Sequence, residues 1–259
     1  MTASSKPLTG WRVLVPRGGP WGDRVAASLR NNGAQPVIAP LINFAPTDET
    51  EQLVAALERL AAGEFAWITA TSATVVDVLA HHSVVIPPET RVAAVGETTA
   101  AAFLAAGYAV DIAPSGDENT TYGLLKEWDE IRRGTPLKVL TLRSNTAVPV
   151  LTKGLLALGH DVTQVVAFRT VGVPVTERIH EDVLSGRINA ILITSGSVAE
   201  QVRDQFPELP EGTLLACVGP QTKKDAEAQG LRIDVVADER TTESLVNAVA
   251  SVADTGEEH

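Results

Sequence analysis

The sequence predicts an α/β protein made of two similar doubly wound lobes, each built on a parallel sheet. Short apolar runs alternate with helical segments along the 259 residues. Most runs carry Val, Ile or Leu at successive positions, which is typical of parallel strands buried on both faces. The predicted strands are 12–16, 36–41, 66–70, 91–95, 109–112, 138–142, 162–167, 189–193, 214–218 and 232–236. Ten strand–helix units of this kind favour two sheets with helices on both faces.

The segments between the strands have the pattern of amphipathic helices. The clearest lies at 47–62, where leucines at 53, 57 and 60 share one face. Thr47 is a plausible N-cap of this helix, and Gly63 follows its end. Other predicted helices also end in glycine, at Gly33, Gly107, Gly159, Gly186 and Gly230.

An internal repeat indicates that the two lobes are related. Thr71-Ser72-Ala73-Thr74 and Thr194-Ser195-Gly196-Ser197 each follow an apolar run, at an offset of 123 residues (71 to 194). Gly96-Glu97-Thr98-Thr99 and Gly219-Pro220-Gln221-Thr222 keep the same offset (96 to 219), as do the segments 107–111 and 230–234. The repeat alone places a boundary near 133–136, but segments 40–46 and 167–174 combine apolar residues with proline and could cross between lobes.

Composition excludes several classes of partner. The formal net charge is −11, and the sequence has no cluster of Lys and Arg. A nucleic acid or an anionic membrane is therefore not an expected partner. Cys217 is the single cysteine and cannot form an intrachain disulfide. This, together with a polar segment 1–10 and the lack of a long apolar stretch, predicts a cytoplasmic protein, which we expect to be a monomer.

Hydroxyl side chains follow two repeat-related strands. We expect both motifs to open helices. The residues are Thr71 and Ser72 in one lobe, and Thr194, Ser195, Gly196 and Ser197 in the other. A helix N-terminus with nearby hydroxyls can bind an anion. Simple N-capping explains the same residues, but the repetition of the motif favours a ligand surface.

Two further strand-end motifs repeat. Gly-x-x-Thr, with Thr99 in one copy and Gly219 and Thr222 in the other, would allow close backbone approach and a hydroxyl donor, or would form only a tight turn and a cap. Arg17 and Arg143 each end a predicted strand. Either arginine could pair with a ligand carboxylate or form a surface salt bridge.

Other kinds of site find no support in the sequence. It has no glycine-rich nucleotide-binding motif and no Gly-x-Ser-x-Gly elbow. His81 and His82 are adjacent, so we expect their rings to point differently, and His160 and His180 stand alone. Nothing has the spacing of a zinc or redox cluster. We therefore predict no metal and no cofactor, and the sequence identifies no catalytic residue.

Taken in order, these motifs resemble the uroporphyrinogen-III synthase family over about 11–252. The matching segments are Arg17 at the end of the first strand, 71–73, 94–96 with 99–100, 139–143, 166–170, 193–195, 218–220 with Thr222, and 241–242 before Leu245. Each segment is unspecific, and their order and spacing carry the resemblance.

The resemblance implies an activity and a domain arrangement. The family converts hydroxymethylbilane, a linear tetrapyrrole with eight carboxylates, to cyclic uroporphyrinogen III with ring D inverted, without metal or cofactor. Its two lobes are joined by two crossing strands, with the substrate in the cleft between them. The expected lobes are then 1–40 with 172–259, and 46–166, joined by hinge strands at 41–45 and 167–171.

One position departs from the family. Phe168 stands where the family usually has a tyrosine, the favoured proton donor. We hypothesise that this hydroxyl is dispensable because the enzyme acts mainly by positioning its substrate. Two alternatives remain open: a slow enzyme, or a non-catalytic two-lobe regulator that binds a small anion or a tetrapyrrole. A two-domain glycosyltransferase is a further rival, for which no diphosphate-binding loop is evident.

Overall fold

The computed structural model describes residues 6–114, 120–132 and 136–256, with side chains omitted at 129–132 and 255–256. By its internal contacts the chain divides into two compact units, Met1–Asn43 with Val171–His259, and Phe44–Thr170. We call these the discontinuous unit and the central unit. The predicted lobe limits at 40, 46, 166 and 172 stay a prediction, and the repeat boundary near 133–136 falls largely outside the described residues.

The discontinuous unit has a parallel sheet of five described strands. Its order is β10-β9-β8-β1-β2. The strands are β1 (Arg12–Val15), β2 (Gln35–Ile38), β8 (Ala190–Ile193), β9 (Leu214–Cys217) and β10 (Val235–Val236). β1 lies between β2 and β8, so the chain leaves it in one direction and later extends the sheet in the other. This order is that of a doubly wound sheet with a topological switch point beside β1.

The central unit also has five described strands, in the order β3-β7-β6-β4-β5. They are β3 (Ile42–Pro46), β4 (Trp67–Ala70), β5 (Arg91–Ala94), β6 (Lys138–Ser144) and β7 (Asp161–Gly172). β4 pairs in parallel with β5 on one side and with β6 on the other. The switch point therefore lies between β4 and β6.

Helices connect the strands. They are α1 (Gly19–Asn31), α2 (Thr50–Ala61), α3 (Thr74–His81), α4 (Glu97–Ala105), α5 (Thr121–Arg132), α6 (Val150–Ala157), α7 (Glu177–Leu184), α8 (Gly196–Gln205), α9 (Pro220–Ala228) and α10 (Thr242–Gly256). Gly63 follows α2 with φ of 74°, a left-handed conformation that ends a helix at little cost for glycine. No helix in the described ranges is long and apolar enough to cross a membrane.

The sequence repeat is also a repeat of structure. In spatial order β2-β1-β8-β9-β10 corresponds to β7-β6-β4-β5 followed by Ile112, which bridges to β5. Local contacts repeat at the same offset: Thr90 Oγ1 donates to a backbone carbonyl at 2.7 Å, and Thr213 Oγ1 does so at 3.1 Å. The strands β4 and β8, and β5 and β9, are therefore equivalent, and β3 is an addition to the central unit.

Two predicted strands are shorter than expected for one physical reason. The Asp111 carboxylate accepts the Val92 N–H at 2.9 Å, and the Asp234 carboxylate accepts the Leu215 N–H at 2.7 Å. A side chain thus takes the donor that a strand carbonyl would otherwise pair. In consequence the predicted strand 109–112 is only an isolated bridge at Ile112, and β10 begins at Val235 rather than at 232.

Two further expectations need correction. β3 (Ile42–Pro46), absent from the strands predicted by periodicity, lies at the sheet edge, where a strand tolerates proline. Thr47 is not the N-cap of α2, because its Oγ1 accepts the Glu49 N–H at 3.1 Å and the helix begins at Thr50.

Candidate functional site

The switch point of the discontinuous unit brings together two of the predicted motifs. Val13 pairs with Ala190 and Leu14 with Ile191 in parallel register. Arg17 follows β1, and Thr194 and Ser195 follow β8, at the same edge of the sheet. In doubly wound folds ligands bind at this edge, beyond the carboxyl ends of the strands.

The central unit repeats the arrangement with β6 in place of β1. Ala70 pairs with Leu142, so Thr71 at the end of β4 lies beside Arg143 of β6. Each unit therefore carries an arginine beside a Thr-Ser pair at its switch point. The sequence did not show this pairing, because the two motifs are far apart along the chain and in a different order in each unit.

Hydroxyls at β8 divide into a capping group and an unpaired one. Ser195 is the N-cap of α8, and its side chain accepts the Val198 N–H at 3.3 Å. The Oγ1 of Thr194 is buried and has no hydrogen-bond partner among the described residues. A buried hydroxyl without a partner is costly, so Thr194 is the better candidate for a ligand contact. Ser197 lies half-buried in the first turn of α8.

Gly196, the first residue of α8, is packed tightly against α9. A Cβ atom at this position would lie 3.2 Å from the Asp225 Cβ and 3.3 Å from its carboxylate oxygen. The small residue therefore lets the start of α8 pack closely against the side of α9 that carries Asp225.

Arg17 is held close to the start of α1. Its guanidinium carbon lies 5.2 Å from the centroid of the Trp21 ring, a cation–π contact. A Cβ at Gly22 would lie 2.2 Å from the Arg17 carbonyl oxygen, so glycine is required there. Desolvation lowers the pKa of Arg17, and its guanidinium remains positive at neutral pH. The residue keeps an exposed surface and can receive a carboxylate.

The equivalent residues of the central unit form more hydrogen bonds within the protein. Ser72 Oγ accepts the Thr74 N–H at 3.3 Å and donates to Thr74 Oγ1 at 3.2 Å, while Thr71 is exposed. Arg143 donates from a terminal nitrogen to the Ala147 carbonyl. Its Nε is buried and has no partner in the described part of the chain. Arg143 is thus turned toward its own loop, with one donor left over.

The two Gly-x-x-Thr copies differ in the structure. Gly96 has φ of 95°, which favours glycine, whereas Gly219 has an extended φ of 169°. Thr99 is only 4% exposed, and its Oγ1 would lie 3.5 Å from a Cβ at Gly96. Thr222, on α9, is half-buried. Thr222 is therefore the more accessible of the pair.

The neighbouring Cys217 is not a nucleophile at this edge. Its thiol is buried and donates to the Gly219 carbonyl at 3.4 Å. Burial raises the pKa of this thiol, so it stays protonated near neutral pH. Its role is to support the turn before α9.

Phe168 belongs to the core of the central unit and also borders a groove. The side chain is 3% exposed and packs edge-on against Phe44, with ring centroids 5.4 Å apart. The groove, which we call the α2–α3 groove, has a volume of about 460 Å³ and lies wholly in the central unit. It is lined by Phe44, Ala45, Pro46, Thr47, Thr50, Leu53, Thr74, Asp77, Val78, His81, His82, Ala167 and Phe168.

Comparison with known proteins decides the family. The sequence profile of the family described as uroporphyrinogen-III synthase HemD matches residues 23–247. The chain belongs to this family. It is 25% identical over 257 residues to the porphyrin biosynthesis protein HemD of Ruminiclostridium josui, covering 95% of this chain and 49% of that protein. The chain thus spans about half the length of that curated relative.

Solved structures show the fold of the HemD family. A mutant uroporphyrinogen III synthase from the extremely thermophilic bacterium Thermus thermophilus has a TM-score of 0.63 at 19% identity, over 95% of this chain and 99% of that chain. The synthetase from Helicobacter pylori 26695 has a TM-score of 0.61 at 18% identity, over 93% and 99% of the two chains. The α/β fold with parallel sheets expected from the sequence is confirmed.

The structure of this HemD family member also reveals groove residues that sequence reasoning missed. His81 and His82 both line the α2–α3 groove, with ring centroids 5.2 Å apart. A signal was available: Thr74, Asp77 and His81 share one face of a helix, at spacings of three and four residues. No group of three or more potential metal ligands occurs among the described residues.

Proposed function

We propose that this HemD family member is a uroporphyrinogen-III synthase, a lyase of porphyrin biosynthesis. It would convert hydroxymethylbilane to uroporphyrinogen III and one water, with inversion of ring D. Family membership supports the proposal, and so does the geometry of the two switch points. Because the chain spans half of its curated relative, the activity is a proposal for this chain.

The observation that carries the proposal is the duplicated strand-end site. Each unit places an arginine, Arg17 or Arg143, beside a Thr-Ser pair and a helix N-terminus. Guanidinium groups, hydroxyls and helix N-termini all favour carboxylates. A substrate with eight carboxylates needs several such sites, and one copy would bind only a small anion.

The proposed binding residues have different parts. Arg17 would pair with a carboxylate, and Thr194, Thr222 and the half-buried Ser197 would donate hydroxyls. Thr71 would do the same with an exposed group. Gly196 and Gly219 would admit close backbone approach. Three residues would act mainly as supports: Ser72 and Ser195 through their hydrogen bonds at helix starts, and Thr99 through burial.

For this reaction the protein must mainly hold its substrate in one conformation. The ring A hydroxyl leaves as water with a donated proton, which gives a cationic azafulvene. The substituted carbon of ring D attacks it, and the spiro intermediate breaks and rejoins with ring D inverted. Loss of one proton from ring D then restores the pyrrole. In water the precursor closes without inversion, so fixing the reactive ends in place is the essential contribution.

A second candidate function is a non-catalytic tetrapyrrole-binding regulator of the same fold. The observation in its favour is Phe168, which has no hydroxyl where the family usually has one. Binding by the strand ends would be retained without turnover. Product analysis separates the two functions.

The test supplies fresh hydroxymethylbilane and separates the oxidised product isomers by chromatography. Isomer III above the no-enzyme background supports the synthase, and isomer I at the spontaneous rate refutes it. Arg17→Gln should raise KM about tenfold, the effect of one charge-assisted hydrogen bond. Arg24→Gln is the matched control, because Arg24 is an exposed arginine on α1 and its loss changes the net charge equally. We also expect a monomer, which gel filtration would check.

A further inference from the structure

The α2–α3 groove combines an apolar floor with a polar wall. Phe44 and Phe168, packed edge-on, form the floor together with Ala167 and Leu53. Phe44 is 46% exposed, which is unusual for a large aromatic side chain. A volume of about 460 Å³ lies within the range of small-molecule sites. The floor therefore suits a flat ring, which can stack on or meet the edge of an aromatic neighbour.

One face of α3 forms the wall. Thr74, Asp77, Val78 and His81 lie at spacings of three and four residues, and His82 follows the helix end. The titratable residues that line the groove are Asp77, His81 and His82, all from α3 or its end; the lining residues from α2, β3 and β7 are uncharged.

The two ends of this wall therefore differ in their chemistry. Asp77 would repel a carboxylate, while the ring N–H groups of the two imidazoles, one turn further along α3, could donate hydrogen bonds to it. A ligand with a flat ring and an acidic side chain would therefore place its ring against the exposed Phe44 and its acid at the histidines.

We propose that the α2–α3 groove binds one pyrrole ring of a tetrapyrrole, with an acetate or propionate side chain held by His81 and His82. This inference rests on the proposed function, which supplies the ligand class. It assigns a role to both imidazoles that line the groove. The pair acts on substrate affinity and orientation rather than on the bonds that change.

A binding experiment tests the groove without turnover. Porphobilinogen, a single pyrrole with one acetate and one propionate, is titrated to about 10 mM while imidazole ring signals are followed by NMR. The ring signals of His81 and His82 should shift with porphobilinogen concentration and reach a plateau. His180, whose Nε2 lies 2.9 Å from the Gln205 carbonyl, is the internal control and should not shift. Absence of a shift at both groove histidines, or equal shifts at His180, overturns the proposal.

A kinetic experiment tests the same contact with the natural substrate. The double variant His81→Ala/His82→Ala, which removes both ring N–H donors, should raise KM for hydroxymethylbilane about tenfold, with kcat within about twofold. His81→Ala alone, at an exposed position, provides a variant that keeps the fold, and Ala80→Gln on the outer face of α3 is the control.

The outcomes separate the two proposals. If the unsubstituted protein makes isomer III and the double variant keeps the same KM, the groove proposal is wrong and the synthase stands. If no isomer III forms but porphobilinogen shifts the groove histidines, the synthase is wrong and the groove still binds a pyrrole carboxylate.

Discussion

Replacing Phe168 by tyrosine restores the hydroxyl that the family usually carries and measures what that hydroxyl is worth. A general acid contributes about 10²- to 10⁴-fold, or about 3 to 5 kcal/mol of the barrier. Positioning of reactive groups can supply about 7 to 11 kcal/mol. If positioning dominates, Phe168→Tyr should change turnover by less than about tenfold, which is about 1.4 kcal/mol.

The structure also sets the cost of the added hydroxyl. Phe168 is 3% exposed, so an oxygen directed into the core would lose its hydrogen bonds with water and cost about 1 to 3 kcal/mol. Because the ring borders the α2–α3 groove, we expect the hydroxyl to meet water there and the loss of stability to be about 1 kcal/mol or less.

The assay pairs product analysis with urea unfolding of the same preparation. Phe44→Tyr is the matched control, since it adds a hydroxyl to the ring that packs edge-on against Phe168. A hundredfold rise in isomer III formation for Phe168→Tyr, but not for Phe44→Tyr, would refute the view that positioning dominates. It would show that this chain is a slow enzyme lacking its acid.

Three further predictions concern the threonines and two buried polar groups. Thr222→Ala should lower kcat/KM about tenfold and change the free energy of unfolding by no more than about 0.5 kcal/mol. Thr99, which is 4% exposed, should behave differently, and Thr99→Ala should lose about 1 kcal/mol in urea unfolding. Equal losses of activity and stability in both variants would indicate that the threonines only cap helices. His160 is buried and accepts the Trp128 Nε1–H at 2.9 Å, and desolvation lowers the pKa of His160. The unfolded state therefore binds more protons than the folded state, and the free energy of unfolding should fall as pH drops below about 6.5. His160→Gln should remove this pH dependence. Asp182 forms ion pairs with two arginines, whose hydrogen bonds lower the pKa of Asp182. Asp182→Asn should therefore lower the urea midpoint of unfolding at pH 7, and the difference from the unsubstituted protein should vanish as pH falls below about 4. Equal midpoints at pH 7 would contradict this.

Most of the fold could be predicted because its central strands, such as β4 and β8, are buried on both faces and their apolar runs are unambiguous. The failures have local causes. At 109–112 an apolar run was present, but the Asp111 side chain takes the hydrogen bond that a strand needs. Among the described strands, β3 (Ile42–Pro46) neighbours β7 alone. It was missed by periodicity because its residues are half-buried or exposed, and because two prolines interrupt 40–46 where a continuous apolar run would be needed.

The candidate site was less predictable than the fold. The sequence identified Arg17, Thr194 and Ser195 as separate strand-end motifs, but only the strand order shows that arginine and hydroxyl lie side by side. Which hydroxyls serve helix starts also depends on rotamers that no pattern encodes. The groove histidines were missed for another reason: adjacency along the chain was taken to exclude a shared site, whereas His82 lies beyond the end of α3 and both residues line the same groove.

The charge of the chain explains why its binding groups must be local. With a net charge of −11, the protein repels a polyanion at long range, so a general positive field cannot gather the substrate. Under the proposed function, attraction would come from donors within hydrogen-bond distance, where the guanidinium of Arg17 and the hydroxyl of Thr194 would outweigh the distant charges. The same acidity would favour a cationic azafulvene over a neutral precursor. An acidic chain with a few fixed donors at duplicated strand ends is therefore suited to hold many carboxylates while positive charge develops on the substrate.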